Sequence, residues 1–218
     1  TVIVDDVTAP VVPTLANVTG ECSATATPPT TTDVCAGTIT ATTTDPLTYN
    51  TQGTFVITWT FNDGNGNTST ATQTVIVDDV TAPVVPTLAD VTAQCSVTVT
   101  PPTTTDTCAG TITATTNDPL TYTTQGTFVI TWTFNDGNGN SSTATQNVIV
   151  NNNVAPSIPT LADVIGQCSA TAVAPTTTNS CSGVTITATT NDPLTYSTQG
   201  TFVITWTFND GNGNIVTA

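Results

Sequence analysis

The side chains best placed for chemistry are oxygen donors in a short glycine-rich segment, Asp63-Gly64-Asn65-Gly66-Asn67. Oxygens at positions i, i+2 and i+4 are typical of calcium loops, because Ca²⁺ prefers carboxylate and amide oxygens. The segment is not an EF-hand, since Thr68 and Thr74 stand where the EF-hand glycine and glutamate would be. Without other evidence, this pattern is more often a hairpin tip than a metal site.

Charge narrows the possible functions. The chain has 15 Asp and Glu residues and no Lys, Arg or His. Each carboxylate must therefore be solvated, accept hydrogen bonds or bind a metal ion, and solvation is the favoured interpretation for an isolated Asp. Without His or Lys, acid–base catalysis by imidazole and Schiff-base catalysis are excluded, and the scattered Asp residues do not form a catalytic pair. No cationic side chain is present to hold phosphate. We therefore expect no enzyme activity and no binding to nucleic acid.

Three copies of one unit make up the chain. The steps from Cys22 to Cys95 and from Cys95 to Cys168 are both 73 residues, and Val184 is an extra residue in the third copy. The predicted boundaries are 1–6 for the last strand of an upstream repeat, then 7–79, 80–152 and 153–218 for three repeats, the third without its final strand. No apolar run reaches the roughly 18 residues of a membrane span, so membrane insertion is not expected.

Acidic linkers precede the repeats. Asp5-Asp6 enters the first repeat and Asp78-Asp79 the second, whereas Asn151-Asn152 enters the third. In an immunoglobulin-type sandwich the turn before the last strand lies where the chain enters, so each linker should meet the Asp-Gly-Asn-Gly-Asn turn. The candidate Ca²⁺ ligands are Asp5, Asp6, Asp63, Asn65, Asn67, Asp78, Asp79, Asp136, Asn138, Asn140 and Asp210. Fewer carboxylates predict weaker binding at the third repeat, where Asn151 and Asn152 face Asp210, Asn212 and Asn214.

The six cysteines occur twice in each repeat. Their periodicity predicts one disulfide inside each repeat, which would staple a small core and indicate an extracellular setting. A zinc site is the alternative, but without histidine two repeats would have to share it. The predicted pairs are Cys22–Cys35, Cys95–Cys108 and Cys168–Cys181.

Alternating apolar residues predict an all-β fold. Phe55, Ile57, Trp59 and Phe61 alternate with smaller residues, a period of two that places the large side chains on one face of a strand. Asp-Gly and Asn-Gly turns and scattered prolines separate further short strands. We therefore predict tandem immunoglobulin-like β-sandwich domains in a linear array, with Trp59, Trp132 and Trp206 in their cores.

The block Gly53–Asn67, together with the Asp-x-Thr-Ala-Pro linker, resembles hyalin-repeat-like (HYR-like) and bacterial Ig-like modules. Such modules recur in giant secreted adhesins of Bacteroidota, including gliding-motility adhesins. The resemblance covers all three repeats and implies a sandwich fold, a stalk or adhesive role, secretion to the cell surface and frequent Ca²⁺ binding. Many hyalin repeats carry a cysteine in the final strand and this chain does not, so the family's disulfide positions are not transferred.

The predicted function is a structural stalk or spacer of a secreted cell-surface adhesin or extracellular filament, stiffened by Ca²⁺. Its expected partners are neighbouring repeats of the same chain, with surface polysaccharide bound through other domains and lateral self-assembly as further possibilities. One alternative is a glycan-binding, lectin-like module, for which Tyr49, Tyr122 and Tyr196 are the available aromatic platforms. A second alternative is a filament subunit in which Thr1–Val4 of one chain completes the last repeat of another.

Overall fold

The computed structural model describes residues 1–218 and contains 20 β-strands and no helix. The strands form nine small sheets of two or three strands, as expected for immunoglobulin-like β-sandwich domains. The all-β prediction is therefore confirmed. Its physical basis is the high content of threonine and valine, whose branched side chains suit extended backbone.

No helix in the structure is long and apolar enough to cross a membrane.

The backbone forms two compact units whose boundaries fall within the second repeat. The first unit comprises residues 1–86, 102–115 and 133–143, and the second comprises residues 87–101, 116–132 and 144–218. The first repeat and its linker to the second repeat therefore lie in the first unit, and the third repeat lies in the second. The repeat boundaries read from the sequence remain a prediction.

The first repeat contains seven strands. They are β1 (Val18–Gly20), β2 (Ala24–Thr25), β3 (Thr30–Asp33), β4 (Gly37–Thr40), β5 (Thr48–Tyr49), β6 (Gly53–Asn62) and β7 (Thr68–Val77). One sheet has the order β1-β7-β6, with β1 parallel and β6 antiparallel to β7. β3 pairs with β4 and β2 with β5.

The hairpin of β6 and β7 is the longest element of the first repeat. Its ten pairs run from Gly53↔Val77 to Asn62↔Thr68. The glycine-rich turn that joins the strands needs residues without a side chain, because Gly64 and Gly66 have φ angles of 81° and 108°. The sequence prediction of a strand followed by an Asp-Gly turn is therefore confirmed.

Large side chains of the β6–β7 hairpin form the core of the first repeat. Ile57, Trp59 and Phe61 are fully buried on one face of β6, while Val56 faces solvent. The indole Nε1–H of Trp59 donates to Gln73 Oε1 at 3.0 Å, so its single polar group is satisfied. Trp132 and Trp206 are also buried, which confirms the predicted core role of all three tryptophans.

The second repeat has the same arrangement of strands. They are β8 (Val91–Gln94), β9 (Val97–Thr98), β10 (Thr103–Asp106), β11 (Gly110–Thr113), β12 (Thr121–Tyr122), β13 (Gly126–Asn135) and β14 (Ser141–Asn151). The sheet order β13-β14-β8 matches that of the first repeat. Within the first unit β10 pairs with β11, and within the second unit β9 pairs with β12.

The third repeat has shorter strands. They are β15 (Ala170–Thr171), β16 (Thr176–Thr178), β17 (Thr185–Thr187), β18 (Thr195–Tyr196), β19 (Thr207–Asn209) and β20 (Ile215–Thr217). Residues 201–206 match the sequence of β6 but form no strand, because pairing between β19 and β20 extends only to the bonds between Trp206 and Ala218. Residues 1–6, predicted as the last strand of an upstream repeat, form no strand either.

Candidate functional site: a carboxylate cluster between linker and turn

The turn between β13 and β14 is organised by Asp136. Its Oδ1 accepts hydrogen bonds from the backbone N–H groups of Asn138 at 2.8 Å and Asn140 at 3.0 Å, and its Oδ2 accepts from Asn140 Nδ2 at 2.7 Å. Burial acts to raise the pKa of Asp136, but these hydrogen bonds favour the ionised form and hold the pKa below its ordinary value. The turn therefore presents a carboxylate that stays ionised to a lower pH than a free aspartate does.

The linker to the second repeat lies against this turn. Asn140 Nδ2 donates to the backbone oxygen of Asp79 at 2.8 Å, and Asn138 Nδ2 donates to Asp79 Oδ2 at 3.0 Å. Asp79 is 3% exposed, and its backbone N–H donates to Gln52 Oε1. The equivalent bonds from Asn65 and Asn67 hold Asp6 beside the turn of the first repeat.

The structure thus brings linker and turn together, as the sequence indicated, but with a smaller set of acids. Asp5 and Asp78, the first acids of the two linkers, are exposed and lie outside the cluster. The asparagines present their amide nitrogens to carboxylate and backbone oxygens of Asp6 and Asp79, so they act as hydrogen-bond donors here and not as oxygen ligands.

A third carboxylate, not anticipated from the sequence, completes the site. Asp106 ends β10, is 7% exposed, and accepts the N–H groups of Cys108 and Ala109 at Oδ1. Its Oδ2 is buried and has no hydrogen-bond partner. One oxygen each of Asp79, Asp106 and Asp136 lies within 4.8 Å of the other two.

This carboxylate cluster, Asp79, Asp106 and Asp136, has the donor set of a hard-cation site. Ionised carboxylates only accept hydrogen bonds, so three of them cannot satisfy one another, and a buried acceptor without a partner is costly. A divalent cation bound between them would offset the repulsion and satisfy Asp106 Oδ2. The residues present therefore fit a Ca²⁺ ion, with Asp79, Asp106 and Asp136 as its protein ligands.

The third repeat has the same backbone arrangement with amides in place of two acids. Asn152 and Asn179 stand at the positions of Asp79 and Asp106 and are 6% and 5% exposed. Asn179 Oδ1 accepts the N–H groups of Cys181 and Ser182, as Asp106 does in the second repeat. Asn214 Nδ2 donates to the backbone oxygen of Asn152 at 2.8 Å. Asp210 is the only carboxylate left, and hydrogen bonds led by that from Asn214 lower its pKa.

The matching site of the first repeat combines two acids with a thiol. Oxygens of Asp6 and Asp33 and the sulfur of Cys35 lie within 4.8 Å of one another. Hydrogen bonds from Thr8 lower the pKa of Asp6, while the negative charge of Asp6 raises the pKa of the Cys35 thiol. Cys35 is exposed and has no disulfide partner in the structure.

The disulfides differ from the sequence prediction. Cys22 is bonded to Cys108 and Cys95 to Cys181, each with a Cα–Cα distance of 4.9 Å. The predicted pairs within each repeat are therefore wrong, and Cys168, like Cys35, is free and exposed. The predicted pairs were Cys22–Cys35, Cys95–Cys108 and Cys168–Cys181.

The reason for this pairing lies in the sheet topology. Cys22 follows β1, whose last carbonyl, that of Gly20, accepts the N–H of Asp78 as the chain leaves the first repeat. Cys108 follows Asp106, whose carboxylate lies beside Asp79 as the chain enters the second repeat. Both cysteines thus meet at the same linker.

The three tyrosines suggested as stacking surfaces for a glycan each lie against another aromatic ring. Tyr49 stacks on Phe55 with a centroid distance of 4.3 Å, and Tyr196 stacks on Phe202 at 4.4 Å. Tyr122 is 8% exposed and lies against Phe128. Each of the three tyrosines therefore packs against a phenylalanine of its own repeat.

Residues 9–77 match the family model described as "HYR-like domain with 4 cysteines". The match supports an extracellular, adhesion-type repeat, and the two disulfides fit an extracellular protein. No curated protein matches the chain.

Among solved structures, an endo-fucoidan hydrolase from glycoside hydrolase family 107 is 14% identical, with a TM-score of 0.22, over 89% of this chain. The chain spans 38% of the length of that hydrolase. A similarity this low carries no argument about fold or activity.

Proposed function

We propose that the chain is a non-catalytic, load-bearing segment of a secreted cell-surface adhesin or extracellular filament, in which disulfides join each repeat to the next. One observation carries the proposal: two equivalent disulfides, both with a sequence separation of 86 residues, connect cysteines of consecutive repeats. A stalk or spacer must resist extension. A disulfide between consecutive repeats protects a longer part of the chain from extension than a disulfide within one repeat does.

The path of covalent bonds shows how far the two disulfides shorten the part of the chain that can extend under force. A pulling force applied beyond Cys22 and Cys181 passes from Cys22 to Cys108, back along the chain to Cys95, and then to Cys181. Only the 13 residue steps from Cys95 to Cys108 lie on this path. At about 3.5 Å per step they extend by about 45 Å, whereas the 159 steps from Cys22 to Cys181 would extend by about 550 Å.

Calcium is a second part of the proposal. The carboxylate cluster would hold Ca²⁺ where the linker enters the second repeat, and the ion would fix Asp79 of the linker to Asp106 and Asp136 of the repeat. Neutralising three buried or partly buried acids would stiffen this connection. Other domains of such a protein would contact surface polysaccharide, and lateral association of chains is compatible with the role.

Force spectroscopy on the 218-residue chain, held at its two ends, tests the load-bearing role. The oxidised chain should release about 500 Å less contour length than the chain reduced with dithiothreitol, since the segment from Cys22 to Cys181 is protected. A Cys22→Ser and Cys95→Ser double variant is the matched control and should extend like the reduced chain under oxidising conditions. A difference of only about 100 Å would correspond to disulfides within single repeats and would contradict the proposal.

A further inference from the structure

The Cys22–Cys108 disulfide lies beside the carboxylate cluster. Cys108 follows Asp106 by two residues, and its backbone N–H donates to Asp106 Oδ1 at 2.8 Å. The sulfur of Cys108 also lies within 4.8 Å of carboxylate oxygens of Asp79 and Glu21. The disulfide therefore adjoins two of the three candidate Ca²⁺ ligands, and all of these residues belong to the first compact unit.

Asp79 is held by the first repeat as well as by the second. Its backbone N–H donates to Gln52 Oε1 at 2.8 Å, and Gln52 Nε2 donates to the backbone oxygen of Glu21 at 2.9 Å. Glu21 directly precedes Cys22. A short chain of contacts therefore connects Cys22, one end of the disulfide, to Asp79, one ligand of the cluster.

The disulfide and a bound cation would restrain the same linker. The disulfide holds Cys22 of the first repeat against the segment that follows β10, and the cation would hold Asp79 of the linker against Asp106 and Asp136. Either bond brings the partners of the other close together, which raises their effective concentration. The bond that forms second therefore loses less conformational entropy than it would alone.

Charge acts in the same direction. Asp106 is 7% exposed and its Oδ2 has no hydrogen-bond partner, so closing the disulfide fixes an unsatisfied acceptor beside two further carboxylates. In the reduced chain these carboxylates are free to move apart. A cation between them removes the repulsion, and it therefore stabilises the disulfide-bonded chain more than the reduced chain.

We propose that the first linker is a redox-dependent cation site, in which Ca²⁺ binding to the carboxylate cluster and closure of the Cys22–Cys108 disulfide favour each other. This coupling rests on the calcium site of the proposed function and adds its regulation. The coupling is reciprocal: the factor by which the disulfide raises Ca²⁺ affinity equals the factor by which Ca²⁺ raises the equilibrium constant for disulfide closure. Reduction of the disulfide therefore weakens the hold on the ion, and loss of the ion makes the disulfide easier to reduce.

Reduction of the disulfide takes two electrons from a low-molecular-weight dithiol such as dithiothreitol. One dithiol thiolate attacks the Cys108 sulfur, forms a mixed disulfide and releases the Cys22 thiolate. The second dithiol thiolate then attacks the dithiol sulfur of this mixed disulfide, closes a cyclic disulfide and releases the Cys108 thiolate. The two protons of the dithiol end on the two cysteines, and the charge of the cation does not change.

The Cys95–Cys181 disulfide lies beside amides instead of carboxylates. Cys181 Sγ is 3.1 Å from Asn152 Oδ1, and the backbone N–H of Cys181 donates to Asn179 Oδ1 at 2.8 Å. An amide carries no charge that a cation could neutralise. We therefore expect closure of this disulfide to be independent of Ca²⁺, which makes it an internal control in the same chain.

A redox titration of the 218-residue chain tests the coupling. Cys35→Ser and Cys168→Ser are introduced to exclude exchange with the free cysteines. The chain is equilibrated in dithiothreitol redox buffers with millimolar Ca²⁺ or with EDTA and then alkylated, and each disulfide is quantified by mass spectrometry. We expect a coupling of at least tenfold, which lowers the midpoint potential of Cys22–Cys108 by about 30 mV in Ca²⁺, while that of Cys95–Cys181 stays the same.

Titration calorimetry gives the reciprocal measurement. Cys22→Ser combined with Cys108→Ser should lower the Ca²⁺ affinity of the oxidised chain at least tenfold, whereas Cys95→Ser combined with Cys181→Ser should leave it unchanged. Both variants lose a disulfide with a sequence separation of 86 residues, so a general loss of stability would weaken Ca²⁺ binding in both alike.

The outcomes separate the coupling from the calcium site itself. A shift in midpoint potential that is confined to Cys22–Cys108 and is lost in Asp106→Asn supports the coupling. If the oxidised chain binds Ca²⁺ but both double variants bind it alike, or if Ca²⁺ shifts the two midpoint potentials alike, the coupling is wrong and the calcium site stands. If the oxidised chain binds no Ca²⁺ at millimolar concentration, the calcium site and the coupling are both wrong.

Discussion

The linker sites of the second and third repeats have nearly the same backbone arrangement but differ in the number of carboxylates. In the second, Asn140 holds the backbone oxygen of Asp79 at 2.8 Å, and in the third Asn214 holds that of Asn152 at 2.8 Å. Three carboxylates meet in the second repeat. In the third, two of the three equivalent positions carry amides.

The difference shows that the scaffold of the site does not depend on charge. An amide can donate as well as accept, so Asn152 reaches Asp210 with its Nδ2, although at 3.5 Å, while Asp79 and Asp106 can only accept. Asp106 Oδ2 consequently stays without a partner in the second repeat. The site of the second repeat therefore keeps a buried acceptor without a donor, whereas the site of the third repeat is balanced by its own hydrogen bonds.

Loss of a disulfide is expected to lower the free energy of unfolding more than any other change. The loss should be equal for the two disulfides. Each bond closes a loop of 86 residues, which corresponds to about 4 to 5 kcal/mol by the chain-entropy estimate. Denaturant unfolding should show this loss in a Cys22→Ser, Cys108→Ser double variant and in a Cys95→Ser, Cys181→Ser double variant. A loss below about 1 kcal/mol in either pair would contradict this expectation.

Replacing an asparagine of the two turns should cause the next largest loss of stability. When no metal is bound, the loss should be about equal in the two turns. Asn140→Ala removes bonds to Asp79 and Asp136, and Asn214→Ala removes the equivalent bonds to Asn152 and Asp210. Two hydrogen bonds, one of them to a charged group, correspond to about 2 to 3 kcal/mol. Thermal unfolding in EDTA measures both variants, and a much larger loss for one of them would mean that the two turns do not share a common scaffold.

Calcium should distinguish the two sites. Asp106→Asn should lower the Ca²⁺ affinity of the second repeat by about tenfold or more, because affinity follows the number of charged ligands. Asn152→Asp combined with Asn179→Asp should create a new site in the third repeat. Titration calorimetry measures both changes.

Asp78→Asn is the control for the calcium experiment, because Asp78 is exposed and outside the cluster. We expect its affinity to match that of the wild type. If Asp78→Asn weakened binding as much as Asp106→Asn, the ion would be held by general negative charge and not by the carboxylate cluster.

Lowering the pH should change the stability of the two sites least. The pKa of Asp136 is lowered in the folded chain, so the stability it contributes is present above the unfolded value of about 3.9 and is lost as the pH falls through the folded value. The difference in melting temperature between wild type and Asp136→Asn in EDTA should therefore be largest near pH 6 and shrink below about pH 4. A difference that grew toward low pH would contradict this sign. Asp210→Asn should behave alike, since the pKa of Asp210 is also lowered.

Local sequence signals predicted much of this molecule. The alternation from Phe55 to Phe61 gave the long strand and the buried tryptophan, and the immunoglobulin-type topology placed Asp79 beside the turn of its repeat. Asp106 was missed, because its approach to Asp79 depends on the fold of the β10–β11 hairpin and not on spacing in the sequence. One signal was available: the third repeat replaces Asp by Asn at both equivalent positions, Asn152 and Asn179.

The disulfide partners could not be derived from the repeat period. Any pairing of a Cys22-type residue with a Cys35-type residue fits a period of 73, whether the two lie in one repeat or in neighbouring repeats. The choice depends on which end of the repeat each cysteine occupies. That is set by the parallel pairing of β1 with β7, a long-range contact with no local sequence signature.

Disulfide mapping tests the central claim, that covalent bonds join consecutive repeats. Cleavage after Leu15, Leu47, Leu88, Leu120, Leu161 and Leu194 by chymotrypsin leaves both cysteines of each repeat in one peptide. Because the bonds Cys22–Cys108 and Cys95–Cys181 connect all three peptides, non-reducing mass spectrometry should find 16–47, 89–120 and 162–194 as one linked species that separates on reduction. Recovery of three separate peptides, each closed by its own internal disulfide, would contradict the account.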